Sequence, residues 1–378
     1  MMFFIETVVS GLLTGIMYAL VALGFVLIYK ASGIFNFSQG VMALFAGLTV
    51  VGFMSGTTPF TFQVNSFPPW FLNAAAVMAG AVLVHLVQRL VRRMRGSPAT
   101  LPSAALLFVA CALLLAMIAP RLGLHVLPFD KSIDAHWAMP AWVAIPATIL
   151  VMILLAYIIE RYVLRHLVNQ EQIILFMATL GLAYVLEGAG DTIWGSDVKK
   201  VDVGLPDGAS DWLLDNFGLY VEKLEIAAAI VATVLVVVLA IFFQKTRIGR
   251  ALRAVADDHQ AALSVGISLQ TIWVIVWSVA GIVALVAGIM WGAKSGIQFS
   301  LSLIALKALP VLILGGFESI PGAIVGGLII GIGEKLAEVY FGPLVGGAVE
   351  NWFAYMLALL FLLVRPQGLF GEKIIERI

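Results

Sequence analysis

The chain has 378 residues, of which 62% are apolar and 12% charged, and its formal net charge is zero; its mean hydropathy is +1.05. So little polar surface cannot cover a soluble globule of this size, so the composition excludes a water-soluble enzyme or binding domain and predicts an all-α polytopic membrane protein. Cys111, the one cysteine, lies inside an apolar run and excludes an intrachain disulfide framework.

The N-terminal stretch MMFFIETVVSGLL has no basic leader, carries Glu6 and stays apolar to Tyr29, which predicts a retained first span and not a cleaved signal. Windows of about 20 apolar residues place spans near 5–28, 34–54, 71–91, 101–119, 142–159, 172–193, 223–243, 272–292, 300–317, 321–339 and 349–364. That is about eleven, with nine as the lower bound. Placing the N-terminus outside puts fourteen of the 22 basic residues in inside segments, the densest at Arg89–Arg95 and Lys245–Arg253. Because Lys and Arg concentrate on the cytoplasmic side, the chain is expected to run N-out, C-in.

Within the spans, polar groups are the candidates for function, because a charge in hydrocarbon is costly. Asn36, Ser38 and Gln39 form an uncharged cluster that suits a pathway for a small polar or zwitterionic solute, or an ordinary capped helix start. His85 fits a neutral, hydrogen-bonded histidine or a ligand. Glu187 and Asp191 share a helical face, with Asp191 at the outer boundary. Lys307 either snorkels, pairs with an acid such as Glu187, or contacts the solute, and Glu334 is a further charge within a span.

Residues 244–270, QKTRIGRALRAVADDHQAALSVGISLQ, form the longest polar interruption that still reads as helix. Ile248, Leu252, Val255, His259 and Ala262 recur on one stripe, Arg250, Arg253, Asp257 and Asp258 lie off it, and Gly266 supplies a stop. Further on, the glycines of 309–335 allow close helix approach, with Gly327 and Gly331 in small-xxx-small spacing, and Pro310 and Pro321 bracket a break.

Enzymatic motifs are missing. Gly326 to Gly331 has the glycine spacing of a phosphate loop but is followed by Ile332 and Gly333, so no ATP hydrolysis is expected on this chain. The histidines at 85, 125, 136, 166 and 259 show no metal-ligand spacing, and there is no GxSxG elbow.

Four stretches in order, GLLTGIMYALVALGFVLIYKASGIFNFSQGVMALFAG at 11–47, IERYVLRHLVNQEQIILFMATLGLAYVLEG at 159–188, RALRAVADDHQAALSVGIS at 250–268, and LGGFESIPGAIVGGLIIGIGE with RPQGLFG near the end, resemble the permeases of branched-chain amino-acid ABC importers. The resemblance implies a single permease domain over 1–378, and reads 244–270 as a cytoplasmic coupling loop. Gln260-Ala261-Ala262-Leu263-Ser264-Val265-Gly266 stands where such importers carry EAA-x-x-x-G, with Gln260 replacing the acid and the later proline absent. On this reading Arg250, Arg253, Asp257, Gln260, Ala261, Ala262 and Gly266 couple the chain to an ATPase. Asn36, Ser38, Gln39, Glu187 and Lys307 are the pathway candidates.

The resemblance further implies two cytoplasmic ATPases, which carry the ATP and magnesium, a second homologous or identical permease, a periplasmic binding protein, and a place in the bacterial inner membrane. No cofactor on this chain and no nucleic acid are expected. Relatives carrying urea, short amides or aromatic acids widen the expected solutes beyond leucine, isoleucine and valine. Residues 60–140 depart from the family as an insertion holding two extra candidate spans. The rival reading is a stand-alone, ion-coupled secondary transporter or channel for a small polar solute, which would use intramembrane charges such as Glu187 with Lys307; a membrane enzyme is a third.

Overall fold

The computed structural model describes residues 2–56, 138–167, 170–257 and 259–371, with the backbone alone for residues 257, 259 and 260. The spans expected at 71–91 and 101–119, His85, and all but the last residues of the 60–140 insertion lie outside the described residues. Those described fold into twelve α-helices and two 3-10 turns, with two isolated β-bridges. The helices are α1 (Met2–Ser32), α2 (Gln39–Ser55), α3 (Ala141–Tyr162), α4 (Gln172–Trp194), α5 (Asp211–Phe217), α6 (Lys223–Lys245), α7 (Arg247–Asp257), α8 (His259–Ser264), α9 (Leu269–Ser295), α10 (Ile304–Gly315), α11 (Ile320–Val345) and α12 (Glu350–Val364).

Six elements among the described residues are long and apolar enough to cross a membrane: α1, α3 with the 3-10 turn after it, α4, α6, α9 and α11. Shorter apolar helices are α2, α12 and the stretch Phe299–Gly315, in which a 3-10 turn leads into α10. Each of the nine expected spans outside 57–137 therefore coincides with a helix.

The long helices divide by burial. The apolar window of α1 is 83% buried, against 22% in α6 and 28% in α3 and α4. An apolar helix exposed over most of its surface is solvated by lipid, so α1 is the axis and α3, α4 and α6 lie at the rim.

What holds α1 is backbone contact. Gly11 and Gly15 on α1 meet Gly327 and Gly331 on the antiparallel α11: a Cβ on Gly15 would fall on the Gly327 carbonyl, and one on Gly331 on the Gly11 carbonyl. Packing of this kind replaces the hydrophobic drive, which is absent between helices in lipid. A second glycine seam joins α10 to α11, where Gly315 lies against Gly322 and Gly326 against the Val311 carbonyl. The break between these two helices is Gly316–Ser319; Ser319 accepts the Gly322 N–H at 3.0 Å, Pro321 occupies the first turn of α11, and Pro310 sits inside α10. The terminal RPQGLFG segment returns to this break, its Leu369 and Phe370 N–H groups donating to the carbonyls of Leu314 and Gly315.

The two ends of the 57–137 segment lie close together at the α2–α3 junction. The Met139 N–H donates to the Phe53 carbonyl at 2.8 Å, so the chain departs after α2 and re-enters before α3 at adjacent points.

Replacing Gly15 or Gly331 by alanine in the purified chain is expected to cost about 2 kcal/mol or more through overpacking, lowering the unfolding midpoint in detergent by several degrees. Gly188→Ala on α4, where a Cβ meets open space, is expected to leave the midpoint unchanged or slightly raised.

Candidate functional site

The polar loop expected to dock a partner forms α7 and α8 with Asp258 between them, at the end of the bundle where α1, α3 and α6 terminate; this is the loop end. Thr246 starts α7 by accepting the Gly249 N–H at 3.0 Å, and its hydroxyl donates to the Phe242 carbonyl at 2.7 Å. Gly249 is required at this turn because a Cβ would fall on the Phe242 and Phe243 carbonyls. Leu252 and Val255 are buried in the main core together with Ala262, so the loop is seated on the bundle.

Arg250 is exposed, and Arg253 is exposed with its guanidinium on the Gln244 carbonyl at 3.4 Å. The end of α8 closes in a Schellman arrangement: the Ile267 N–H donates to the Ala262 carbonyl and the Gly266 N–H to that of Leu263, with Gly266 at φ +87°.

Two features depart from the sequence expectation. Ile248, placed on the buried stripe, is exposed. Leu263 and Val265, which the stripe does not include, are 52% and 81% exposed at the tip of the loop, beside exposed Ala261 and Gly266. Their signal in the sequence is that they are apolar residues off the stripe of an otherwise polar helix.

Asn36, Ser38 and Gln39 form a closed knot between α1 and α2, each no more than 1% exposed. The Asn36 side-chain oxygen accepts from the Ser38 backbone N–H at 3.1 Å and from its hydroxyl at 2.6 Å. The Asn36 amide donates to Gln39 Oε1 at 3.3 Å, and the Gln39 amide donates to the Ala280 carbonyl of α9 at 3.2 Å. Thr179 of α4 joins the knot, accepting the Phe37 N–H at 3.1 Å. These side chains are thus satisfied by one another and by backbone. Beside the knot at the loop end, Tyr29, Gly33, Phe35, Gln172, Ile173 and Phe176 line a cleft of about 410 Å³.

Lys307 is not paired with Glu187. Its Nζ lies 3.2 Å from Glu334 of α11 and 4.0 Å from Glu350 of α12, and Lys335 lies 3.3 Å from the other oxygen of Glu350. Glu187 is half-buried on α4 and forms no ion pair among the described residues. Neither Lys335 nor Glu350 stands out in the sequence, because the turn that brings the start of α12 back beside α11 has no simple sequence signature.

Away from the loop end, Lys294 of α9 pairs with Glu225 of α6 at 2.6 Å. Lys223 lies 2.9 Å from Asp211, and its hydrogen bond and charge hold that carboxyl below the usual carboxylate range. No cluster of three or more His, Cys, Asp or Glu side chains suited to a metal occurs among the described residues.

Described residues that are almost all helical, with six helices long and apolar enough to cross a membrane, glycine-packed around a buried first helix, define a polytopic membrane protein. The family of permease components of branched-chain amino acid transport systems matches residues 101–365, and the chain belongs to it. It is 24% identical over 383 aligned positions to the high-affinity branched-chain amino acid transport system permease protein LivH of Salmonella typhimurium, covering all of this chain and 98% of the relative. The corresponding BraD of Pseudomonas aeruginosa is 24% identical over 377 positions, 99% of this chain and 98% of the relative. A probable LivH of Methanocaldococcus jannaschii is 27% identical over 226 residues, 58% of this chain and 70% of the relative. No solved structure matches the chain.

Asn36→Ala is expected to leave the buried Ser38 and Gln39 groups without partners and to destabilise the purified chain by about 2 kcal/mol. Thermal unfolding followed by the aggregation of detergent-solubilised protein measures this; an unchanged midpoint would mean that the knot is not a structural tie.

Proposed function

We propose that the chain is the membrane subunit of an ATP-driven importer and forms the translocation pathway for branched-chain or related amino acids across the bacterial inner membrane. The observation that carries this reading is the exposed apolar tip Leu263–Val265 on a loop otherwise seated by Leu252, Val255 and Ala262, in a chain of this permease family. An apolar tip flanked by Arg250 and Arg253 suits a groove on a partner that is apolar at its centre and acidic at its rim.

The tip then meets a cytoplasmic ATPase, one of two, which hold the ATP and magnesium. N-out, C-in is the orientation that presents the loop to them, and it agrees with the Lys and Arg distribution. A second permease, identical or homologous, and a solute-binding protein on the opposite side complete the importer. ATP-driven closure of the ATPases moves the loop, and the loop moves α1 and α9, against which α7 packs.

Reconstitution tests the reading. With ATPases and binding protein present, uptake of leucine into proteoliposomes is expected to require ATP, and uptake by this chain alone would point to a self-sufficient transporter. Leu263→Asp with Val265→Asp, and separately Arg250→Glu with Arg253→Glu, are expected to insert normally yet lower the uptake per ATP hydrolysed by about tenfold, as for loss of an interface anchor. Undiminished coupling in both variants would sink the docking assignment.

A further inference from the structure

Four charged side chains on α10, α11 and α12 form an ordered ladder. Glu334 lies fifteenth in the 26-residue α11, at mid-helix. The chain then folds back, and the Glu338 carboxylate accepts the N–H groups of Ala348 at 3.1 Å and Glu350 at 2.8 Å. This sets the start of α12 about 10 Å inside the end of α11, given 1.5 Å per helical residue. The order across α11, α10, α12 and back to α11 is Glu334, Lys307, Glu350, Lys335, with gaps of 3.2, 4.0 and 3.3 Å. The signs alternate and sum to zero, and the middle gap is the widest.

Exposure is uneven in an informative way. The Glu334 side chain is 2% exposed, whereas those of Lys307, Lys335 and Glu350 are 30%, 33% and 34% exposed. Charges one-third open at this depth cannot face lipid without a large cost, so they look onto water or onto another protein. Behind them, the Tyr18 ring lies 5.9 Å from Lys307 Nζ and holds the ammonium in place. Beside them, the Tyr355 hydroxyl donates to the Leu306 carbonyl at 2.8 Å, which fixes a half-open aromatic ring next to Lys307.

Taking the chain as the importer's pathway subunit, we infer that Lys307 and Glu350, in contact at 4.0 Å here, part to roughly 8 Å, the span of a head group with a charge-assisted hydrogen bond at each end, and then form a station for the zwitterionic head group of an α-amino acid. The solute carboxylate takes Lys307 and its ammonium takes Glu350, so the sequence of signs along the ladder remains alternating with the solute in place, and no charge is left unmatched. A lone anion or cation inserted at the same gap would break that alternation, which is why the site selects a zwitterion. The apolar side chain of the solute has the Tyr355 ring beside it.

The test uses the complete importer in proteoliposomes with a diazirine analogue of leucine, irradiated during ATP-driven uptake, with adducts mapped by mass spectrometry. Adducts are expected on the peptides carrying Leu306–Lys307 and Glu350–Tyr355. Glu350→Gln is expected to lower both those adducts and the uptake by about tenfold, as for loss of one charge-assisted contact, while Lys223→Gln at the exposed outer pair changes neither. Labelling of the unmodified importer does not depend on how any variant folds. Adducts confined to other helices, or Glu350→Gln and Lys307→Met variants that transport as well as the parent, overturn the station and leave the importer reading intact. A parent importer with no ATP-driven uptake of leucine overturns both.

Discussion

The fold depends on one constraint: between α1 and α11 the backbones touch. In lipid an apolar helix gains nothing by exchanging lipid contacts for equally apolar protein contacts, so association must come from close packing and polar pairing. Gly11 and Gly15 against Gly327 and Gly331 provide the first, since no side chain keeps the two backbones apart. The same seam sets up the second. Tyr18 lies one turn beyond Gly15 and Glu334 one turn beyond Gly331, so the register that packs the glycines also brings both residues to the ammonium of Lys307.

Irregular backbone at membrane depth is tolerated only where protein or water covers it. The turn between α1 and α2 meets this condition through the Asn36–Ser38–Gln39 knot, in which Asn36 plays the part of a missing helical turn. The 3-10 segment Phe299–Leu303 meets it against α2, where Gly40 lets the Ser302 carbonyl come up to the helix backbone. Both irregular segments are therefore sealed against α2, which explains why α2 can be short. The polar side chains at 36–39 are buried and occupied with one another and with backbone, whereas the ladder leaves the Lys307, Lys335 and Glu350 side chains about one-third exposed.

Much of this was legible in the sequence, and the limits are physical. Span positions follow from apolar length alone, and the nine expected outside 57–137 each match a helix. The close-packing role of Gly327 and Gly331 was readable from their spacing, but their partners Gly11 and Gly15 lie more than 300 positions away, and identical spacing elsewhere would have served equally well. The stripe in the loop identified Leu252, Val255 and Ala262 as seated, because periodicity reports which residues share a face. It misplaced Ile248 next to the turn at Gly249, where the chain leaves α6 and the helical phase is not yet set. Lys307 stood out as an intramembrane charge, yet its partners depend on how α11 turns back into α12 through Gly346, Gly347 and the positive-φ Ala348. Spacing in the sequence does not encode such a turn.

The two glycine seams also decide where the molecule can yield. α1, α10 and α11 are joined by backbone contact and will move as one piece, since sliding would drive carbonyls into one another. α12 is attached differently: it packs through Ala354 and Ala358 and through the Phe353 ring on Gly333, and its first turn hangs on the Glu338 carboxylate. Side-chain packing, the Glu338 cap, the Tyr355–Leu306 hydrogen bond and the Lys335–Glu350 ion pair are side-chain ties, which tolerate small shifts that interlocked backbones do not. The 4.0 Å gap from Lys307 to Glu350 crosses this boundary, while the 3.2 Å pair of Lys307 with Glu334 lies wholly within the rigid piece. On the proposed coupling route, a displacement delivered to α1 through α7 would leave Lys307 and Glu334 together and would change the distance from Lys307 to Glu350. The widest rung of the ladder is the one that such a motion would open or close.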